Sequence, residues 1–230
     1  MSVQVSRKIF DTCVVFDLDD TLYPEHAFVS SALVATGKFA EEKWGLAGLG
    51  DAAQGLFHAG QRKELFQQAY RLLGHGEMEE SKVQKLLEIY RGHRPESLPW
   101  FPDALEAIEL LKPHATLGLI SDGYLPTQRN KAEALGVQRW IPEPIFTEEL
   151  GRQYWKPSPR AFELMMQRHP GLQYIYIADN PAKDFVAPNL LGWKTLQILR
   201  PEGQYQSVSP AVNGEAQIKL TDLREVVRHL

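Results

Sequence analysis

The segment Val14-Val15-Phe16-Asp17-Leu18-Asp19-Asp20-Thr21 decides the reading of this chain. Its first half continues an apolar run that begins near Thr12, and its second half turns abruptly acidic. A short β-branched and aromatic run that stops at polar residues reads as a buried strand. Carboxylates directly after such a strand matter, because open parallel sheets bind ligands beyond the carboxyl ends of their strands.

Similar runs lie at residues 116–120, 174–178 and 195–199, with a shorter one near 144–146. Helix-like stretches separate the later ones, at 126–135, 159–168 and 182–191, and another covers 103–111. Alternating strands and helices predict an α/β fold with a Rossmann-like parallel sheet. A short helix is expected over 220–230, with an N-cap at Thr221-Asp222.

The first and second runs are separated by far more chain than one crossover helix needs. Helical patterns at 27–43, 62–73 and 79–90 fill the interval, with a small-residue stretch at 45–60 between the first two. The expectation is a catalytic core made of residues 1–23 and 99–230 and an inserted helical cap at 24–98.

A chain of 230 residues with 43% hydrophobic and 23% charged side chains has the composition of a packed globular protein. A net charge of -4 gives no reason to expect nucleic acid or an anionic membrane as partner. Cys13, the single cysteine, sits in the first apolar run and reads as a buried strand residue. The amino-terminal residues carry no secretory-type apolar stretch and no later segment is long enough to span a bilayer, so the cytoplasm is expected.

Polar groups follow the strands in a chemically suggestive set: Asp17 and Asp19, then Ser121 and Asp122, then Asp179, with Asp184 further on. Carboxylates concentrated at one sheet edge repel one another unless a cation or shared proton offsets the charge, and Mg2+ prefers oxygen ligands of this kind. Asp17 is placed to attack an electrophilic phosphorus. Asp19, two residues on, would protonate the leaving oxygen and later deprotonate water. Ser121 would donate to a phosphoryl oxygen, and Lys156 would compensate Asp17 and the transferring group. Asp179 is the expected second metal ligand, while Asp184 binds through water or orients the site. Thr21 would support the loop. His93 and Arg94, ahead of the linker back to the core, are candidate substrate contacts together with Asp122 and Gly123. Tyr154 and Trp155, beside Lys156, read equally as pocket lining or core.

Four segments in order resemble the haloacid dehalogenase superfamily: Phe16 to Pro24, Ile120-Ser121-Asp122-Gly123, Lys156-Pro157-Ser158-Pro159, and Ala178 to Asp184. The resemblance implies a Rossmann-like core, a C1-type helical cap, and Mg2+ held by Asp17, the main-chain carbonyl of Asp19, and Asp179. Asp122 departs from the asparagine frequent at its place, and Ala178 from the usual glycine. The implied activity is hydrolysis of a small phosphomonoester, a sugar phosphate or nucleoside monophosphate, through a phosphoaspartyl intermediate. Leu22-Tyr23-Pro24 resembles pyrimidine-nucleotidase-type members, and residues 151–157 resemble hydrolases of surface-polysaccharide pathways. The alternatives are a 2-haloacid dehalogenase, against which Asp19 argues, a phosphomutase, and a catalytically silent binding protein.

Overall fold

The run after Asp11 forms β1 (Thr12–Phe16), and it becomes the inner strand of a six-stranded sheet. The others are β2 (Thr116–Ser121), β3 (Ile145–Phe146), β4 (Gln173–Ala178), β5 (Lys194–Ile198) and β6 (Ile218–Leu220). Their order is β3-β2-β1-β4-β5-β6, and every pairing is parallel. The computed structural model describes residues 10–201, 203–205 and 207–230.

Parallel strands covered on both faces need side chains that are apolar without interruption. Cys13, Val14, Val15 and Phe16 are accordingly all fully buried. On one face Cys13 and Val15 pack with Tyr174, Tyr176 and Ala178 of β4, with Phe162 and Met165, and with Trp193. Phe162 and Met165 come from α7, described with the other helices below. Register places Phe16 opposite Leu119 of β2 and Ile177 of β4, so the three strands end within two residues of one level. The Asp17 amide donates to the Ile177 carbonyl at 2.8 Å, which carries the pairing into the acidic segment.

In chain order the helices are α1 (Glu25–Trp44), α2 (Leu49–His58), α3 (Leu65–Leu72), α4 (Glu80–Gly92), α5 (Pro102–Leu111), α6 (Leu125–Leu135), α7 (Arg160–Arg168) and α8 (Val186–Leu190). Two units emerge. One contains the described residues up to Pro24, Trp100–Leu125 and Gly136–Leu230, and thus the whole sheet. The other contains Glu25–Pro99 together with Pro126–Leu135. The helical unit has its own core, in which Val29, Leu33, Leu49, Phe57, Phe66 and Leu86 are buried.

Three details differ from the sequence expectation. The small-residue stretch holds a helix, α2, whose Gly50 lies against Gly37 of α1. A Cβ on Gly37 would stand 2.6 Å from the Gly50 Cα, so the glycines permit backbone contact between helices rather than a loop. A sixth strand, β6, precedes the carboxyl-terminal turn. That last turn is a 3-10 helix, Leu223–His229, capped by the Asp222 carboxylate accepting from the Arg224 amide at 2.9 Å.

Candidate active site

Because β1, β2 and β4 end together, the residues that follow them share one edge of the sheet. Asp17 follows β1, Ser121 and Asp122 close and follow β2, and Asp179 follows β4. Lys156 is delivered by the loop between β3 and α7, and Asp184 by the turns ahead of α8.

Lys156 is the hub. Its ammonium lies 2.7 Å from Asp17 Oδ1 and 2.6 Å from Asp184 Oδ1, and it donates to the Tyr176 hydroxyl at 3.0 Å. The side chains of Lys156 and Asp184 are wholly inaccessible, and Asp17 is nearly so. Burial would lower the Lys156 pKa, yet Asp17 and Asp184 beside it hold it well above the ordinary lysine value. The lysine is therefore a fixed positive charge.

The carboxylates experience the opposite pressure. Burial pushes Asp17 up to about 7; Lys156 and Lys183 act against that rise, and the Asp184 charge adds to it. Asp179 is raised well above the ordinary carboxylate range by burial, reinforced by Asp184, Asp17 and Asp20. Oxygen atoms of Asp17, Asp179 and Asp184 lie within 4.8 Å of one another, and Asp179 Oδ2 is buried with no hydrogen-bond partner among the described residues. An orphaned buried carboxylate oxygen is costly unless something absent from the protein part satisfies it. The donor set, all carboxylate oxygen, suits a hard divalent cation.

Asp19 is half-buried and accepts the Tyr23 hydroxyl at 2.5 Å on Oδ1. Thr21 is fully buried; its carbonyl accepts from Arg200 at 2.6 Å, and Arg200 in turn grips Asp103 with two contacts of 2.8 Å. That clamp ties the loop after β1 to the start of α5. Ser121 is buried at the end of β2. Gly123 has φ of 134°, a conformation that side-chain-bearing residues rarely adopt, and so turns the chain sharply after Asp122.

Asp122 is fully engaged. Thr147 Oγ1 donates to its Oδ1 at 2.7 Å, the Lys156 amide reaches both oxygens at 3.1 and 3.2 Å, and Lys183 Nζ meets Oδ2 at 3.1 Å. Burial alone would raise its pKa, but Lys156, Lys183 and these hydrogen bonds bring it below the ordinary value. The negative charge that the sequence places here is thus balanced by the protein itself. His93 and Arg94 belong to the helical unit. There His93 Nε2 sits 2.8 Å from Ser31 Oγ, its carbonyl accepts from Asn130 at 2.9 Å, and Arg94 is exposed.

Three contributors had no role assigned from sequence. Tyr176 lies within an apolar strand and reads there as core; Thr147 follows the two-residue β3; Lys183 precedes Asp184 and resembles an ordinary helix-start lysine. Trp155, half-buried, meets Tyr124 edge-on at 5.9 Å, and Arg152 lies 4.8 Å over the Tyr124 ring, so this aromatic pair stands on the loops flanking Lys156 rather than in the sheet core.

A parallel sheet whose central strand ends in a carboxylate facing a buried lysine and further carboxylates defines a class of hydrolase. Residues 12–189 match the haloacid dehalogenase-like hydrolases, and the chain belongs to that family. It is 25% identical over 224 residues to a glyceraldehyde 3-phosphate phosphatase of Methanopyrus kandleri, covering 86% of this chain and 87% of that one. Among solved structures, the candidate HAD-hydrolase YfnB of Bacillus subtilis, bound to magnesium, superposes with a TM-score of 0.65 at 18% identity, covering 97% and 99% of the two chains. A 2-haloacid dehalogenase from Pseudomonas syringae gives 0.61 at 18% identity, covering 94% and 96%. Both likenesses are of fold.

Proposed function

We propose that this hydrolase is a magnesium-dependent phosphatase of small phosphomonoesters and that Asp17 is its nucleophile. The observation carrying this reading is the pairing of a buried carboxylate at the end of β1 with a buried ammonium 2.7 Å away, inside a cluster with Asp179 and Asp184. The phosphatase from Methanopyrus kandleri and the magnesium in the YfnB structure support it.

The side chains of Asp17 and Asp179 and the main-chain carbonyl of Asp19 would hold the ion, with Asp184 behind them. Bound there, the cation would offset the carboxylate charge and that of the incoming phosphate. An Asp17 oxygen forms the bond to phosphorus while the ester oxygen departs, taking a proton from Asp19. Asp19 then removes a proton from water, water oxygen attacks the same phosphorus, and Asp17 is released with inorganic phosphate. Lys156 stays beside Asp17 and the phosphoryl oxygens throughout, and Ser121 donates to one of those oxygens. A carbon-attacking dehalogenase needs no proton donor two residues after its nucleophile, so Asp19 favours phosphorus chemistry.

The helical unit serves in this reading as the cap that supplies selectivity, with His93 and Arg94 as substrate contacts, among sugar phosphates and nucleoside monophosphates as the candidate classes. The described helices include none long and apolar enough to cross a membrane, and the cytoplasm suits a phosphorylated metabolite. Phosphate release from a panel of phosphorylated metabolites, with magnesium and with a chelator, tests the proposal. Chelator-sensitive release supports it; chelator-insensitive halide release from 2-haloacids, with no phosphate release, overturns it.

A further inference from the structure

We propose that the Tyr176 hydroxyl is a positioning group for Lys156, a neutral contact that keeps the ammonium aimed while the charge on Asp17 changes. An ammonium has three N–H donors, and Lys156 has three close oxygens: it donates to Asp17 Oδ1 at 2.7 Å and to the Tyr176 oxygen at 3.0 Å, while Asp184 Oδ1 lies 2.6 Å away as an ion-pair partner outside hydrogen-bond geometry. Two of the three belong to the cation cluster. In the phosphatase cycle Asp17 becomes an acyl phosphate and loses its charge, so its hold on Lys156 weakens at the moment when the lysine must stay on the phosphoryl group. Tyr176 remains the same neutral acceptor before and after that step. A carboxylate in its place would bind the ammonium more tightly and compete with the phosphoryl oxygens for it.

The sequence around Tyr176 supports a purpose for the hydroxyl. Its ring is fully buried on the core face of β4, edge-on to Phe162 at 4.9 Å and to Phe185 at 6.3 Å. Phenylalanine would fill that volume without the cost of burying a hydroxyl. Tyr174, two residues earlier on the same face, is also a buried residue, but its hydroxyl donates to the His169 carbonyl and not to the site. The two tyrosines therefore share a strand face and differ in where their oxygens go, which makes Tyr174 an internal control.

The kinetic consequence rests on the phosphatase reading; the geometric one does not. In Tyr176→Phe, magnesium-dependent hydrolysis of an aryl phosphate is expected to show kcat lowered about tenfold with KM within about twofold, since a hydrogen bond to a charged group is lost while the ring packing stays. Tyr174→Phe should leave kcat within about twofold of the unmodified protein. Proton-detected nitrogen-15 spectra of the lysine ammonium groups supply a second readout: the Lys156 Nζ signal shifts or disappears in Tyr176→Phe and not in Tyr174→Phe. An unchanged kcat in Tyr176→Phe, an equal loss in Tyr174→Phe, or an unmoved Lys156 signal would each overturn the role. If the unmodified protein releases no phosphate from any ester, the phosphatase reading fails, and the ammonium spectra alone decide whether Tyr176 positions Lys156.

Discussion

At Asp122 a carboxylate, rather than the amide of asparagine, receives donors from three other segments: Thr147, the Lys156 backbone and Lys183. An amide presents one oxygen and one NH2, so Asp122→Asn must aim its NH2 either at Thr147 and the Lys156 amide or at the Lys183 ammonium. Aimed at Lys183, the NH2 sets donor against donor; aimed at Thr147, it makes the hydroxyl accept and leaves the Lys156 amide only the longer of its two contacts. The variant is expected to lower kcat/KM for phosphate release by about tenfold, through displacement of the Lys156 backbone, and to lower Tm by a few degrees; full activity would show that the oxygen alone suffices. The same residue marks what sequence can and cannot reveal. The segments bearing Asp17, Ser121, Lys156 and Asp179 were legible because each directly follows an apolar run or introduces a proline-marked turn. The partners of Asp122 were not, because they lie 25 to 61 residues away and side-chain contact over such separations leaves no local pattern.

Helix α2 shows the same limit at the level of elements. The glycines among residues 45–60 lower helix propensity, yet tertiary contact with α1 overrides it. Gly50 has the Leu33 carbonyl oxygen 2.9 Å and the Gly37 Cα 3.0 Å from where a Cβ would stand. Because both obstacles are backbone, Gly50→Ala should force the helices apart and destabilise the helical unit by about 2 kcal/mol in denaturant unfolding, and a neutral or stabilising result would mean that α1 and α2 are not in backbone contact. Strands β1, β2, β4 and β5 were readable because both of their faces are covered. Strand β6 was missed, since three residues with a lysine in the middle carry too little pattern to distinguish them from a loop. The Arg200 clamp on Thr21 was equally silent in sequence, its partners being 179 residues apart.

For the whole molecule, the buried carboxylates couple folding to pH and, in the proposed reading, to a divalent cation. Asp17, raised to about 7, and Asp179, also raised, bind protons in the folded state that the unfolded chain releases near the ordinary value of 3.8. Their contribution to stability is therefore complete below that value and is lost as pH rises through about 7 in the cation-free protein. A divalent cation held in the proposed site would replace those protons. Magnesium should accordingly raise Tm more at pH 7.5 than at pH 5.5 relative to chelator-treated protein, and equal shifts at the two pH values would contradict that coupling.

Asp17 is the centre of the proposed reaction, and its chemistry can be observed directly. Rapid acid quench of the protein turning over an aryl phosphate with magnesium in oxygen-18 water, followed by mass spectrometry of the peptide containing Asp17, reports both the covalent step and the fate of water. The expected result is a phosphoryl adduct on Asp17, absent in Asp17→Asn, with the heavy oxygen in released phosphate because water attacks phosphorus. Turnover without any adduct on Asp17 and undiminished in Asp17→Asn, or heavy oxygen entering the Asp17 carboxylate through an ester to carbon, would contradict it.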